Sequence, residues 1–107
     1  MRRRPDAVAV RSVPVSLIER RLAKVGARLK SLRGELAVID EQLVHLADDA
    51  DDQELRALVS ETPNASGEAT QARRHVESMQ KHRAHVVAEI AELEARQDEL
   101  LDRLTAG

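Results

Sequence analysis

From Val15 onward the apolar residues keep a strict alternation of three- and four-residue spacings. They are Val15, Ile18, Leu22, Val25, Leu29, Leu32, Leu36, Ile39, Leu43, Leu46 and Ala50. This is an a/d heptad seam sustained over five repeats, and it specifies an α-helix that needs another helix along its length. A 3.5-residue repeat also asks that the pair wind left-handed. Pro14 stands just upstream, and the Ser16–Glu19 spacing predicts a capping box at the helix start. Gly26 and Gly34 fall at outer positions, where each costs up to about 1 kcal/mol against alanine.

The repeat breaks at an acidic run, with Gln53 at the next seam position. Leu55, Leu58 and Val59 then share one face of a predicted short helix over 52–60. Thr62-Pro63-Asn64-Ala65-Ser66-Gly67 is a turn cluster. Either Thr62, with Pro63 at the first helical position, or Ser66 can cap the next helix. The three-four alternation resumes through Ala69, Ala72, Val76, Met79, Arg83, Val86, Ile90, Leu93, Gln97, Leu100 and Leu104, with Arg83 and Gln97 polar. Val87 and Leu101 widen this second stripe on one side. Each segment has about 35 residues, roughly 50 Å of helix at 1.5 Å per residue.

Two matched helices joined by a connector predict an all-α fold. The expected form is an antiparallel two-helix coiled-coil hairpin, with helices at about 16–50 and 66–105 and a short helix in the connector. With the turn centred near residue 59, Arg83 falls beside Glu35 and Leu36, and a Glu35–Arg83 pair satisfies the charged seam position. A polar a-position residue fixes register at some cost in stability. A lone hairpin covers each stripe from one side only, which leaves a small aliphatic core thinly stabilised. The expectation is therefore a dimeric four-helix bundle or a larger helical assembly, with Leu22, Leu29, Leu36, Leu43, Val76, Arg83, Ile90, Leu93 and Leu100 as the oligomer seam. Dimerisation of the first helix, with the second segment swapped between chains, satisfies the same heptads.

Composition narrows the functions available. The 107 residues include no Phe, Trp, Tyr or Cys, and 34% are charged. Base stacking on aromatic side chains is excluded, as are disulfides, thiolate metal sites and cysteine nucleophiles. Charge is uneven along the chain. Residues 1–15 carry Arg2, Arg3, Arg4 and Arg11 against Asp6, and read as a flexible basic arm. Residues 48–68 carry seven acids against Arg56 alone, inside a hairpin domain spanning 16–107. Two candidate contact regions follow. One is a tip made of Asp48, Asp49, Asp51, Asp52, Glu54, Leu55 and Leu58. The other is the arm, whose arginines can contact phosphates of a nucleic acid without sequence specificity. The alternation Val8, Val10, Val13, Val15 can also add a strand to a partner's sheet edge.

The acidic run lacks the ligand spacing and glycine of a calcium loop. His45, His75, His82 and His85 sit at outer heptad positions and read as exposed. No phosphate-binding glycine loop, nucleophile elbow or zinc-protease motif is present. We expect no enzyme activity, cofactor, metal or small-molecule substrate. No stretch approaches the roughly 20 apolar residues of a membrane span, and the short apolar run after the N-terminal arginines is interrupted by Arg11. A cytoplasmic protein is expected.

A long helical hairpin with carboxylates at its tip resembles the coiled-coil arm of Gre-type and DksA-type transcription factors. In those families the tip acids approach the catalytic magnesium of RNA polymerase, and the resemblance implies that role for Asp48 to Asp52. It covers the hairpin alone. The globular domain of the first family and the cysteine zinc finger of the second have no counterpart in this sequence. The sequence thus leads to a non-enzymatic coiled-coil interaction protein, an adaptor or assembly subunit that self-associates and binds a larger partner through its charged ends. The alternative is a transcription regulator that binds polymerase through the tip or DNA through the arm.

Overall fold

The structure, a computed structural model, describes residues 14–106. It contains two long helices, α1 (Val15–Ser60, 46 residues) and α2 (Pro63–Ala106, 44 residues), joined by Glu61 and Thr62 as a helical hairpin. The start of α1 differs from the expected capping box. The Pro14 carbonyl accepts from the amides of Leu17 and Ile18 at 3.0 and 3.1 Å, so Ser16 lies inside the first turn. Pro14 suits this place because a residue ahead of the helix contributes its carbonyl to the ladder and needs no amide there. The predicted basic arm, with Arg2, Arg3, Arg4 and Arg11, lies outside the described residues.

There is no separate connector helix. α1 continues through the acidic run to Ser60 because the seam itself continues. After Ala50 the inward positions are Gln53 and Ala57, both half-buried, which prolongs the three-four alternation. Alanine has the highest helix propensity of any residue, so the stretch around Ala50 and Ala57 supports the helix even though it looks weakly hydrophobic.

The turn is built by local chemistry. Glu61 adopts φ 52°, the left-handed region, and its amide donates to the Ala57 carbonyl at 3.1 Å. This is the single-bond helix-ending motif that glycine usually supplies, made here by a residue with a Cβ. Thr62 then caps α2. Its Oγ1 accepts from the Ala65 amide at 3.2 Å and its carbonyl from the Ser66 amide at 3.1 Å, with Pro63 at the first helical position. Of the two expected caps, Thr62 is therefore the one used, and Ser66 lies within the helix.

Chain contacts divide the molecule into two compact units. One joins the stretch of α1 up to Ser31 with the stretch of α2 from Ile90; the other is Leu32–Glu89. In the first unit Ile18, Val25, Leu29 and Leu100 form a buried cluster, against which Leu22, Ile90, Leu93 and Leu104 pack. Every member is a branched aliphatic residue. Each side chain of this kind contributes about 1.5–3 kcal/mol when fully buried.

The second unit has a different interior. Leu32, Ile39, Val76 and Val86 are buried, with Leu36, Leu43, Leu46 and Met79 half-buried. Toward the turn the inward side chains shrink. Ala50 and Ala69 are buried, and Gln53, Ala57, Ala65 and Ala72 are half-buried. The inward positions of α1 and α2 stand at equal distances from Glu61: Ala57 and Ala65, Gln53 and Ala69, Ala50 and Ala72, Leu46 and Val76, Leu43 and Met79, Ile39 and Arg83, Leu36 and Val86. A turn at Glu61–Thr62 thus sets a register two residues later than one centred near residue 59. Arg83 accordingly bonds to Asp40, while Glu35 faces His82 across 3.5 Å in place of Arg83.

Candidate functional site

The tip acids divide into two groups by the face of α1 they occupy. Asp51 and Glu54 are one turn apart, and Arg73 of α2 reaches both. Its Nε and Nη2 donate to the two Glu54 carboxylate oxygens at 3.1 and 2.7 Å, and Nη2 also donates to Asp51 Oδ1 at 3.0 Å. The fork geometry of guanidinium matches a carboxylate in two parallel bonds, which a lysine cannot do. The hydrogen bonds from Arg73 hold the Glu54 carboxyl below its ordinary range, against a smaller opposing effect of desolvation. The bonds to Glu54 first, and then Asp51, push the Arg73 guanidinium further up. Two of the five acids of the run are therefore part of the hairpin's own fastening.

Asp48, Asp49 and Asp52 are exposed on α1. Asp48, Asp52, Leu55 and Val59 follow spacings of four, three and four, so they line one stripe, turned away from the inward stripe of Ala50, Gln53 and Ala57. Leu58 flanks it. Leu55, Leu58 and Val59 are 61, 77 and 78% exposed. The largest apolar side chains of the turn end thus face outward while alanines face inward. Beside them opens a groove of about 930 Å³ between α1 and α2, lined in part by Ala57, Leu58, Thr62, Ala69, Arg73 and Arg74.

The proposed seam residues take two levels of cover. Leu29, Val76 and Leu100 are buried; Leu22, Leu36, Leu43, Arg83, Ile90 and Leu93 are half-buried. Arg83 lies half in the seam and sends its Nε to Asp40 Oδ1, a bond that also raises its pKa. His45, His75, His82 and His85 are exposed, and among the described residues no three His, Asp or Glu side chains converge as a metal site. No described helix is long and apolar enough to cross a membrane.

Sequence reasoning missed Arg73. The signal was present, since Arg73 adjoins the seam position Ala72 and its partners are one turn apart. It becomes readable only when the turn is placed at Glu61. Comparisons with family models, with curated proteins and with solved structures returned no match to this chain.

Proposed function

We propose that the chain is a non-enzymatic cytoplasmic interaction protein, an adaptor or assembly subunit, whose hairpins associate side by side into a four-helix bundle. The observation that carries this reading is incomplete cover of the seam. Leu36 and Leu43 in one unit, and Leu22, Ile90 and Leu93 in the other, stay half-buried when only one helix faces them. Val38, Val44 and Val87 on the flanks of the first of these units are 52, 60 and 40% exposed. A second hairpin laid along these flanks removes that aliphatic surface from water, at about 25 cal/mol per Å² of apolar area. The geometry is the usual one for antiparallel helical bundles, in which each stripe meets two neighbours.

Sedimentation equilibrium over a hundredfold range of concentration tests it, with a mass that rises to twice the chain mass as the expected result. A monomer mass at every concentration, together with a sharp thermal transition, rejects self-association. The competing reading as a transcription regulator is decided separately. Binding to purified RNA polymerase that disappears in an Asp49→Ala/Asp52→Ala variant replaces the adaptor proposal with a polymerase-binding one. Salt-sensitive DNA binding that disappears on deletion of residues 1–11 replaces it with a DNA-binding one.

A further inference from the structure

The turn end of the hairpin carries its apolar side chains on the wrong face for its own stability. Ala50, Ala57, Ala65, Ala69 and Ala72 fill the interior there, and Leu55, Leu58 and Val59 stand in solvent. An aliphatic cluster that contributes nothing to the interior, and that is rimmed by charge, is the usual composition of a contact surface. Along α1 the order is acidic first and aliphatic second: Asp48, Asp49 and Asp52, then Leu55, Leu58 and Val59. Asp48 and Asp52 stand in line with Leu55 and Val59. Asp49 and Arg56 lie on one flank of this stripe, and Leu58 lies on the other, one turn beyond the Asp51 and Glu54 that Arg73 holds, so the stripe runs from acidic to aliphatic along α1.

The chain itself contains a segment with the complementary order. Residues 2–4 are three arginines; after Pro5, Asp6 and Ala7 come Val8, Ala9 and Val10, and then Arg11. We propose that the outer stripe of the turn end receives the N-terminal arm of a second copy of the chain. Arg2, Arg3 and Arg4 meet Asp48, Asp49 and Asp52, and Val8 and Val10 cover Leu55, Leu58 and Val59. Charge order favours a parallel alignment of the arm along α1, because the reversed alignment puts three arginines over the aliphatic cluster and leaves Arg11 alone to meet the three aspartates. Opposite charge at the rim steers the encounter and fixes the register, and burial of the valines and leucines holds the contact. The proposal deepens the self-association reading by giving it a second, end-specific contact between copies.

The test uses the full chain. Reversal of the acids (Asp48→Lys, Asp49→Lys, Asp52→Lys) and reversal of the arm (Arg2→Glu, Arg3→Glu, Arg4→Glu) are each expected to weaken self-association about tenfold or more at low salt. Both reversals in one chain restore it. The absence of cysteine makes a second readout clean. A Val8→Cys chain mixed with a Leu58→Cys chain is expected to form a disulfide between copies at least about tenfold faster than with a Leu101→Cys chain, whose site lies elsewhere at 44% exposure. Association unchanged by either reversal, with no preference for the Leu58 site, overturns the proposal and leaves a bundle formed through the seam flanks standing. Loss of association on reversing the acids but not the arm also overturns it, since the occupant is then another basic segment. A chain carrying both Val8→Cys and Leu58→Cys that closes on itself as a monomer overturns the assignment to a second copy. A monomer mass for the unaltered chain overturns both this proposal and the bundle.

Discussion

Two stretches of the same hairpin are held together by different means. In the unit ending at Ser31 and resuming at Ile90, the interior is Ile18, Leu22, Val25, Leu29, Ile90, Leu93, Leu100 and Leu104. In the stretch around the turn, from Ala50 to Ala72, it is alanine and one glutamine, with Arg73 bridging Asp51 and Glu54 across the outside. A leucine buries about three more carbons than an alanine, worth roughly 2 kcal/mol per position at 0.8 kcal/mol per CH₂. The first stretch is stabilised by burial. The second depends on helix propensity, a well-made turn and exposed ion pairs, which are weak in water and weaker in salt. Where the interior needs little apolar surface, large apolar residues are free to serve the outside.

Core truncation is the strongest way to expose this contrast. Leu29 is 1% exposed, and Leu29→Ala is expected to cost about 2–5 kcal/mol in urea unfolding. Leu58→Ala, at a residue 77% exposed, is expected to stay within about 0.5 kcal/mol at concentrations where the chain is monomeric. A large loss at Leu58 under those conditions breaks the distinction between inward and outward residues.

Enlargement probes the alanine layers from the other side. Ala50 is wholly buried, and Ala50→Leu is expected to destabilise the fold by about 1–3 kcal/mol, because a well-packed small layer has no room for a longer side chain. A gain in stability from this change means that the layer is underfilled and that its small residues are not a packing requirement.

Backbone changes are expected to matter by about 1 kcal/mol. Glu61→Gly removes the Cβ cost of the left-handed conformation at φ 52° and should raise the unfolding midpoint by about 1 kcal/mol. Thr62→Ala, which deletes the cap on α2, should lower it by about the same amount. Gly26, Gly34 and Gly67 lie within helices with open space where a Cβ would stand, so each Gly→Ala change should add up to about 1 kcal/mol. Gly67, the one next to the turn, tests whether propensity is limiting in the alanine stretch.

The smallest effect belongs to the Arg73 clasp. Glu54 titrates below its ordinary value of 4.5 in the fold. The stability it adds is therefore present above that value and lost as pH falls through the lowered one. Arg73→Met should reduce stability slightly at neutral pH and low salt, and should flatten the acid limb of the stability curve below pH 4.5. An Arg73→Met chain with an unchanged acid limb removes the clasp from the account of the turn end.

Most of the architecture was readable from spacing, because branched aliphatic residues at three-four intervals leave no other regular structure able to bury them. The aliphatic unit is the clearest case: all eight residues of its cluster lie on the two stripes that the heptads define. The turn end was misread for a physical reason. Alanine contributes little to a hydrophobic pattern yet is the best helix former, so a seam of Ala50, Gln53 and Ala57 looks like an interruption while the helix runs on. That shifted the expected turn by two residues, and with it the partner of Arg83. Leu55 and Leu58 were expected on one face of a separate helix, and they stand exposed on α1 itself. The split of the acids between a clasp and an outward stripe depended on a register the misplaced turn could not supply.

The sequence alone determined that the chain forms two long helices, since its apolar period fits no other regular structure; that they fold back on each other within one chain was the structure's choice over an exchange of segments between chains. The sequence also determined how the second helix begins, because Thr62 and Pro63 are local instructions that act without distant neighbours. The tertiary structure decided what no local pattern encodes. It decided which acid meets Arg73, which acid meets Arg83, and that Leu55, Leu58 and Val59 face away from the seam. Those outcomes depend on the register between residues far apart in the chain. One residue in the left-handed conformation, Glu61, sets that register for the whole of the unit around it.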